Sequence, residues 1–226
     1  MPGSGHDSDL LFLLLNMAWK RKDKKLKAYK TIVFDVGDVL MQYRWKDMLM
    51  DYGLSEAEAL RIGQEMFNDP RQLWHQLDLG EKTDDAIISE YEEQFPDDIE
   101  VIRWFIHHGE YMNVARPRTW KRVHELKEKG YRIYLLSNYS YRLFKRHTRY
   151  ADFMADIDGM MVSYMIHKAK PQADIYQALF SVYDLDPKDC IFFDDRAENV
   201  EASIAQGMDA VQIFSEEDLL EKLRDL

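Results

Sequence analysis

Short apolar runs bounded by polar or turn residues recur at 31–36, 131–137, 159–164, 190–193 and 210–214. Runs of that length and setting predict strands. Helical spacing fills the intervals. The segment 118–129 predicts a helix, with Pro117 at its start and Gly130 just past its end, the asymmetry that helix termini favour. Segments 140–150, 173–183 and 197–206 predict three more, the last closed by Gly207. Ser215 before Glu216, Glu217 and Asp218 is an N-cap signal with acids in the first turn. Strands alternating with helices predict an α/β fold, built on a mostly parallel sheet covered on both faces.

One connection is far too long for that pattern. A parallel crossover needs about a dozen residues, yet 41–116 intervenes before the second core helix. Its segments SEAEALRIGQEMF, TDDAIISEYEEQF and DIEVIRWFIHH are helix-like, and no strand is predicted among them. The stretch reads as a helical subdomain inserted after the first strand. Ligands of open α/β sheets bind at the carboxyl ends of the strands, so an insertion leaving that edge would lie over the site as a cap. The expected division is an N-terminal extension (1–30), a core (31–45 with 113–226) and a helical cap (46–112).

Composition narrows the class. The 226 residues suit one domain or a core with a modest insertion. A hydrophobic content of 46% supports a sizeable core and argues against disorder. The net charge of −11 argues against a nucleic-acid-binding surface. An anionic substrate would need a local positive site or a bound cation against that field. The single cysteine, Cys190, excludes an internal disulfide and suits a reducing, cytoplasmic setting. Within the run CIFF it reads as a small core residue; a catalytic thiol is the alternative, and apolar surroundings oppose it. Residues 10–19 (LLFLLLNMAW) are apolar and followed by a basic run at 20–25. That is shorter than the ~20 residues a bilayer span needs, so no integral membrane span is expected. The charges also follow the apolar run, where a secretory signal places them first. An amphipathic extension docked on the domain, or a start-site artefact, is the plain reading, with a peripheral membrane anchor as the alternative.

The informative polar residues fall at strand ends. Asp35 follows the run 31–34, Ser137 and Asn138 follow 131–136, and Asp194 and Asp195 follow 190–193. In a parallel sheet these arrive at one edge, and Lys170, before Pro171, lies in a loop that can reach it. Carboxylates, a hydroxyl, an amide and an ammonium in one crevice suit phosphoryl transfer. An aspartate is ionised at neutral pH (unperturbed pKa ~3.9), so Asp35 needs no base to act as nucleophile. Asp35, Asp194 and Asp195 repel one another, which a hard cation such as Mg2+ relieves. Lys170 can neutralise charge, and Ser137 and Asn138 can donate to phosphoryl oxygens. Singly, each has a plainer reading: a loop start, a helix N-cap by Asp195, a Ser-Asn turn. Their joint occurrence at successive strand ends favours the chemistry.

These residues resemble the haloacid dehalogenase superfamily. The matching segments are FDVGDVL (34–40), LLSN (135–138), KPQADIY (170–176) and FFDDRAENV (192–200), ordered as in the family and spread over 31–214. The resemblance implies a Rossmann-like core with a helical cap and an aspartyl-phosphate intermediate. Asp35 would be nucleophile and Mg2+ ligand, with the Gly37 carbonyl, Asp194 and Asp195 completing or supporting the metal site. Ser137, Asn138 and Lys170 would bind phosphate, Lys170 also stabilising charge in catalysis, and Asn199 would order the acidic loop. One departure stands out: most phosphatases of the family carry an acid–base Asp where this chain has Gly37. A subgroup similar to bacterial α-glucose-1-phosphate phosphatase carries a comparable Asp-x-Gly-Asn-Val sequence and hydrolyses sugar phosphates. A water held by Asp38 could stand in for the missing acid.

The resulting expectation is a Mg2+-dependent phosphatase of small phosphorylated metabolites, sugar phosphates leading. The alternatives are a 2-haloacid dehalogenase, which the acidic pair disfavours, and a catalytically weak member used for binding or regulation. Among the aromatic and imidazole groups of the insertion (Trp74, His75, Trp104, His107, His108, Tyr111), helical spacing favours packing over substrate contact. Arg44 and Trp45, just after the first motif, are the best placed to touch substrate.

Overall fold

The computed structural model describes residues 29–226, so the readings made for the N-terminal extension lie, up to residue 28, outside the described residues. The strands in chain order are β1 (Thr31–Phe34), β2 (Met41–Tyr43), β3 (Asn113–Ala115), β4 (Arg132–Ser137), β5 (Gly159–Val162), β6 (Cys190–Asp194) and β7 (Asp209–Gln212). Five form one sheet in the order β5-β4-β1-β6-β7, every pair parallel. The order reverses direction at β1, with β4 on one side and β6 on the other. That is the switch point where α/β sheets bind ligands.

The strands are buried on both faces, as parallel sheets require. Ile32, Phe34, Leu135 and Phe193 face one apolar cluster; Val33, Leu136, Phe192 and Cys190 face the other. Cys190 is fully buried, and burial pushes its thiol up to about 11, which suits packing and not nucleophilic catalysis.

Helices α1 (Trp45–Asp51), α2 (Glu56–Phe67), α3 (Leu73–Asp78), α4 (Asp84–Gln94) and α5 (Ile99–His107) form the insertion. Ser55 starts α2 with a capping box closed by Glu58, and the Thr83 hydroxyl accepts the Ala86 N–H at the start of α4. The ring of Phe67 packs on Trp74 at 4.8 Å and on Phe105 at 6.0 Å, tying three of these helices together. Core helices α6 (Pro117–Glu128), α7 (Tyr141–Thr148), α8 (Ser163–Ile166), α9 (Ala173–Tyr183), α10 (Ala197–Ala205) and α11 (Glu216–Leu223) follow. No helix among the described residues is long and apolar enough to cross a membrane.

Two differences from the sequence expectation have local causes. The stretch 41–116 does contain strands: β2 and β3 pair antiparallel, Tyr43 opposite Asn113, and form the stem of the insertion. Three-residue strands are too short to show alternation. The expected strands at 31–36 and 159–164 stop at Phe34 and Val162. Val36 is buried inside the loop after β1, not on the ladder. Tyr164 belongs to α8, where its ring packs against Tyr141 at 5.3 Å.

Candidate active site

Register delivers the polar groups to one edge. Phe34 of β1 is aligned with Leu135 of β4 and Phe193 of β6, so the residues that follow converge. The Asp35 N–H donates to the Phe193 carbonyl at 2.9 Å, extending the ladder by one residue and fixing where the carboxylate points. Its Oδ1 accepts the Val36 N–H at 2.7 Å and the Ser137 hydroxyl at 2.6 Å. Lys170 is 3% exposed, and its Nζ lies 3.1 Å from Asp35 Oδ1 and 2.6 Å from Asp194 Oδ2.

Surrounding groups hold these side chains in place. The Asn199 amide donates to both oxygens of Asp194, at 3.0 and 3.1 Å, and the Arg196 N–H donates to Oδ1 at 2.8 Å. The turn ahead of α10 is therefore made by Asp194, and the plainer alternative, a cap by Asp195, is not what forms; Arg196 is the capping residue. Asn138 has a structural partner as well. Its amide nitrogen donates to the Lys170 carbonyl and its oxygen accepts the Lys170 N–H, both at 2.9 Å. The side chain thus clamps the Lys170 loop with one of its two amide N–H groups, and Asn138 lines the cavity beside it.

The electrostatics follow from burial. Asp35 is pushed up to about 6, chiefly by burial, with Lys170 pulling down and Asp194 pushing up. Asp195 is pushed up to about 7 by burial and by the charges of Asp35 and Asp194. Lys170 is held above its usual value, burial being outweighed by its two carboxylate partners. Asp35, Asp194 and Asp195 each offer an oxygen within 4.8 Å of the others. One ammonium among three carboxylates leaves an excess of negative charge, which adds to burial in raising two of them. That donor set fits a hard divalent cation taking a few carboxylates plus further oxygens.

The loop after Asp35 is built tightly. Met41 N–H returns to the Val36 carbonyl at 2.9 Å, and buried Arg116 donates to the carbonyls of Asp38 (2.5 Å) and Val39 (2.9 Å). Asp38 has φ 51°, a left-handed conformation that Asp tolerates better than most residues. Its Oδ1 accepts the Tyr43 N–H at 2.9 Å, so this carboxylate is engaged with the loop. Beside it, a Cβ on Gly37 would lie 2.5 Å from Tyr43 Cε2 and 3.0 Å from its hydroxyl. The tyrosine ring occupies the space a side chain at position 37 would need.

Tyr43 begins a buried polar chain. Its hydroxyl bonds to Tyr139, whose hydroxyl lies 2.7 Å from His147 Nδ1, while His147 Nε2 lies 2.8 Å from the Gly109 carbonyl. A carbonyl only accepts, so Nε2 carries the imidazole proton, Tyr139 donates to Nδ1, and Tyr43 donates to Tyr139. Burial holds both phenols well above their ordinary range and pushes His147 down, keeping all three neutral.

A cavity of about 440 Å³ opens over this edge. Asp35, Gly37, Ser137 and Lys170 line it from the core; Trp45, Phe67, Asn68, Trp74, His75 and Asp78 line it from the insertion. Of the two residues thought best placed for substrate, Trp45 is on the wall, whereas Arg44 pairs with Asp51 at 2.6 Å. Trp74 and His75 reach the cavity despite the packing expectation; Trp104 instead stacks on His108 at 5.0 Å, away from it.

Comparison with known proteins gives this architecture a family. Residues 29–207 match the family of haloacid dehalogenase-like hydrolases. The chain belongs to it. Over 194 residues this haloacid dehalogenase-like hydrolase is 27% identical to Phosphatase MT3486 of Mycobacterium tuberculosis (strain CDC 1551 / Oshkosh), covering 81% of this chain and 86% of that protein. Its fold is similar to that of an HAD family enzyme, bt-2542 of Bacteroides thetaiotaomicron, solved in complex with magnesium and inorganic phosphate. That match has TM-score 0.68 and 22% identity, and covers 87% of this chain and all of the other. The fold is also similar to L-2-haloacid dehalogenase of Xanthobacter autotrophicus, with TM-score 0.61, 14% identity and coverage of 87% and 83%.

Within this hydrolase the structure brings together Asp35, Ser137, Lys170, Asp194 and Asp195 as the sequence expectation required, with Asn199 behind Asp194. Sequence reasoning missed Tyr43, Tyr139 and Asp78. The one available signal was local: Asp78 is the last residue of α3, where the helix dipole disfavours an acid.

Proposed function

We propose that this haloacid dehalogenase-like hydrolase is a Mg2+-dependent phosphatase of small phosphorylated metabolites, sugar phosphates foremost, acting through an aspartyl-phosphate on Asp35. The observation that carries the reading is Asp35 itself. It is 8% exposed, held by Ser137 and Lys170, and set within 4.8 Å of two further carboxylates. Three donors converge on Oδ1 (Val36 N–H, Ser137 hydroxyl, Lys170 ammonium), which fixes the carboxylate plane and leaves Oδ2 to attack phosphorus. With a pKa of about 6, Asp35 is mostly ionised at neutral pH and needs no base.

Asp35, Asp194 and Asp195, with the Gly37 carbonyl, would hold Mg2+, which when bound neutralises charge on phosphoryl oxygens. Lys170 keeps a positive charge beside the nucleophile and the phosphoryl group, and Ser137 and Asn138 keep Asp35 and Lys170 in place. Three clustered carboxylates suit a phosphoryl group bound with a cation better than attack on carbon, which supports phosphatase over dehalogenase chemistry. The relative named a phosphatase supports it independently. The mixed wall of Trp45, Trp74, Asn68 and His75 suits a sugar, whose ring faces are apolar and whose edges carry hydroxyls.

The test is phosphate release from a panel of sugar phosphates and 4-nitrophenyl phosphate, with Mg2+ or EDTA, beside Asp35→Asn. Release abolished by both is expected. Release that survives Asp35→Asn refutes the mechanism, and silence across the panel moves the assignment to a binding or regulatory role.

A further inference from the structure

An in-line displacement by Asp35 places the leaving oxygen on the far side of phosphorus, toward the wall formed by the insertion. Four carboxyl groups line the cavity: Asp35, Asp38, Asp78 and Asp195. Asp35 is the nucleophile. Asp195 lies in the carboxylate cluster, and Asp38 stands on the nucleophile's own loop, one oxygen bonded to the Tyr43 N–H at 2.9 Å. The Tyr43 hydroxyl points its proton at Tyr139, into the buried chain. Asp78 is the one of the four that the insertion supplies, so it stands across the cavity from the nucleophile's loop.

Its position is fixed from both elements. The Ser163 hydroxyl donates to the Asp78 carbonyl at 2.5 Å, and Ser163 Oγ accepts the Tyr139 N–H at 2.9 Å. The next turn is tied down by His167 Nδ1 at 2.8 Å from the Leu79 carbonyl and by an Arg142–Asp84 ion pair. The Ser140 N–H, at the start of α7, donates to the Asp78 carboxyl. The carboxyl group is thus held from the core while Asp78 lines the cavity.

We infer that Asp78 is the general acid and base of this site, supplied by the insertion and not by the loop that carries the nucleophile. The inference rests on the phosphatase reading. In the first step Asp35 Oδ2 bonds to phosphorus, the ester P–O bond breaks, and its electron pair takes the Asp78 proton, releasing the alcohol. In the second step the Asp78 carboxylate takes a proton from water as that water bonds to phosphorus. The Asp35–phosphorus bond breaks, and phosphate and the Asp35 carboxylate are regenerated. Burial pushes Asp78 up to about 7; the Ser140 N–H pulls down, the Asp35 charge adds to the rise, and Arg196 opposes it. Tyr43, Tyr91 and Tyr139 also feel its charge, and His75, Lys170 and Asp195 share its cavity. A carboxyl near 7 can both give and take a proton at neutral pH.

The experiment is a leaving-group series on the full chain with Mg2+: 4-nitrophenyl phosphate, phenyl phosphate and a primary-alcohol sugar phosphate, for wild type, Asp78→Asn, Asp78→Glu and Asp35→Asn. In Asp78→Asn, kcat/KM for the alkyl ester is expected to fall by about 100-fold or more, the range of a lost general acid. For the nitrophenyl ester, whose leaving group needs no proton, it falls by less than about tenfold. The wild-type decline of alkyl-ester kcat/KM above about pH 7 disappears in Asp78→Asn, and Asp78→Glu restores part of the alkyl activity. Equal losses across the series, or no loss on the alkyl ester, overturn the assignment while the phosphatase reading stands. Nitrophenyl hydrolysis that survives Asp35→Asn overturns the aspartyl-phosphate mechanism, and this assignment with it.

Discussion

Gly37 offers a measurement of how closely the nucleophile loop is packed. Its φ lies outside the left-handed region, so the backbone there accepts an L residue and only space opposes one. In Gly37→Ala the new Cβ would sit 2.5 Å from Tyr43 Cε2 and 2.8 Å from Cζ. Ordinary carbon contacts begin near about 3.5 Å, so the ring must retreat by about 1 Å. It has little room. Tyr139 stands edge-on at 6.0 Å between centroids and His147 at 6.1 Å, while the Tyr43 backbone is held by Asp38 and by pairing with Asn113. Overpacking of this kind costs about 1–3 kcal/mol. The lost glycine entropy returns about 0.4–1 kcal/mol, so a net destabilisation of about 0.5–2 kcal/mol is expected. In a Tyr43→Ala background the clash is gone and the same substitution becomes neutral or slightly stabilising. Urea unfolding of the four proteins of this cycle, in EDTA, should give a coupling of about 1–3 kcal/mol. Additivity within about 0.5 kcal/mol would refute the steric account. The larger Gly37→Asp should be tolerated only when Tyr43 is replaced by a small residue.

Lys170→Met removes the ammonium that compensates Asp35 and Asp194 while preserving the bulk of the stem. Stranding buried carboxylates in this way costs about 3–5 kcal/mol at neutral pH; urea unfolding in EDTA measures it, and a loss under about 1 kcal/mol would contradict the burial argument. For Asp195 the folded pKa of about 7 lies above the unfolded value near about 4, so the folded state holds the extra proton between those limits. Stability from this group is therefore full below pH ~4 and lost as pH rises through about 7. Asp195→Asn, which cannot ionise, should gain stability relative to wild type across that window in EDTA; a difference that stays flat with pH would show that Asp195 is not raised.

The site was legible in the sequence where a one-dimensional rule maps onto one sheet edge, and illegible where two segments must meet. Asp35, Ser137 and Asp194 each follow an apolar run, and a parallel register turns that into proximity; Asn199 and Lys170 join them through short loops. The exchange between the Asn138 amide and the Lys170 backbone spans 32 residues, and no periodicity reports such a contact. The same holds for Tyr43 against Gly37, which depends on a strand of three residues returning past the loop it encloses. Asp78 is the extreme case: its α3 looks like any short helix, and its role turns on Ser163 and Ser140, far away in sequence, receiving it. These failures share a physical logic. A side chain on Gly37 and the Tyr43 ring compete for one volume, so a chain that keeps the tyrosine cannot place an acid at position 37. The opposite wall carries a carboxyl group instead, and the anchoring bonds of the insertion hold Asp78 there. The glycine read from the sequence as a gap in the chemistry thus marks one position closed to an acid, and the acid assigned to Asp78 stands on the wall across from it.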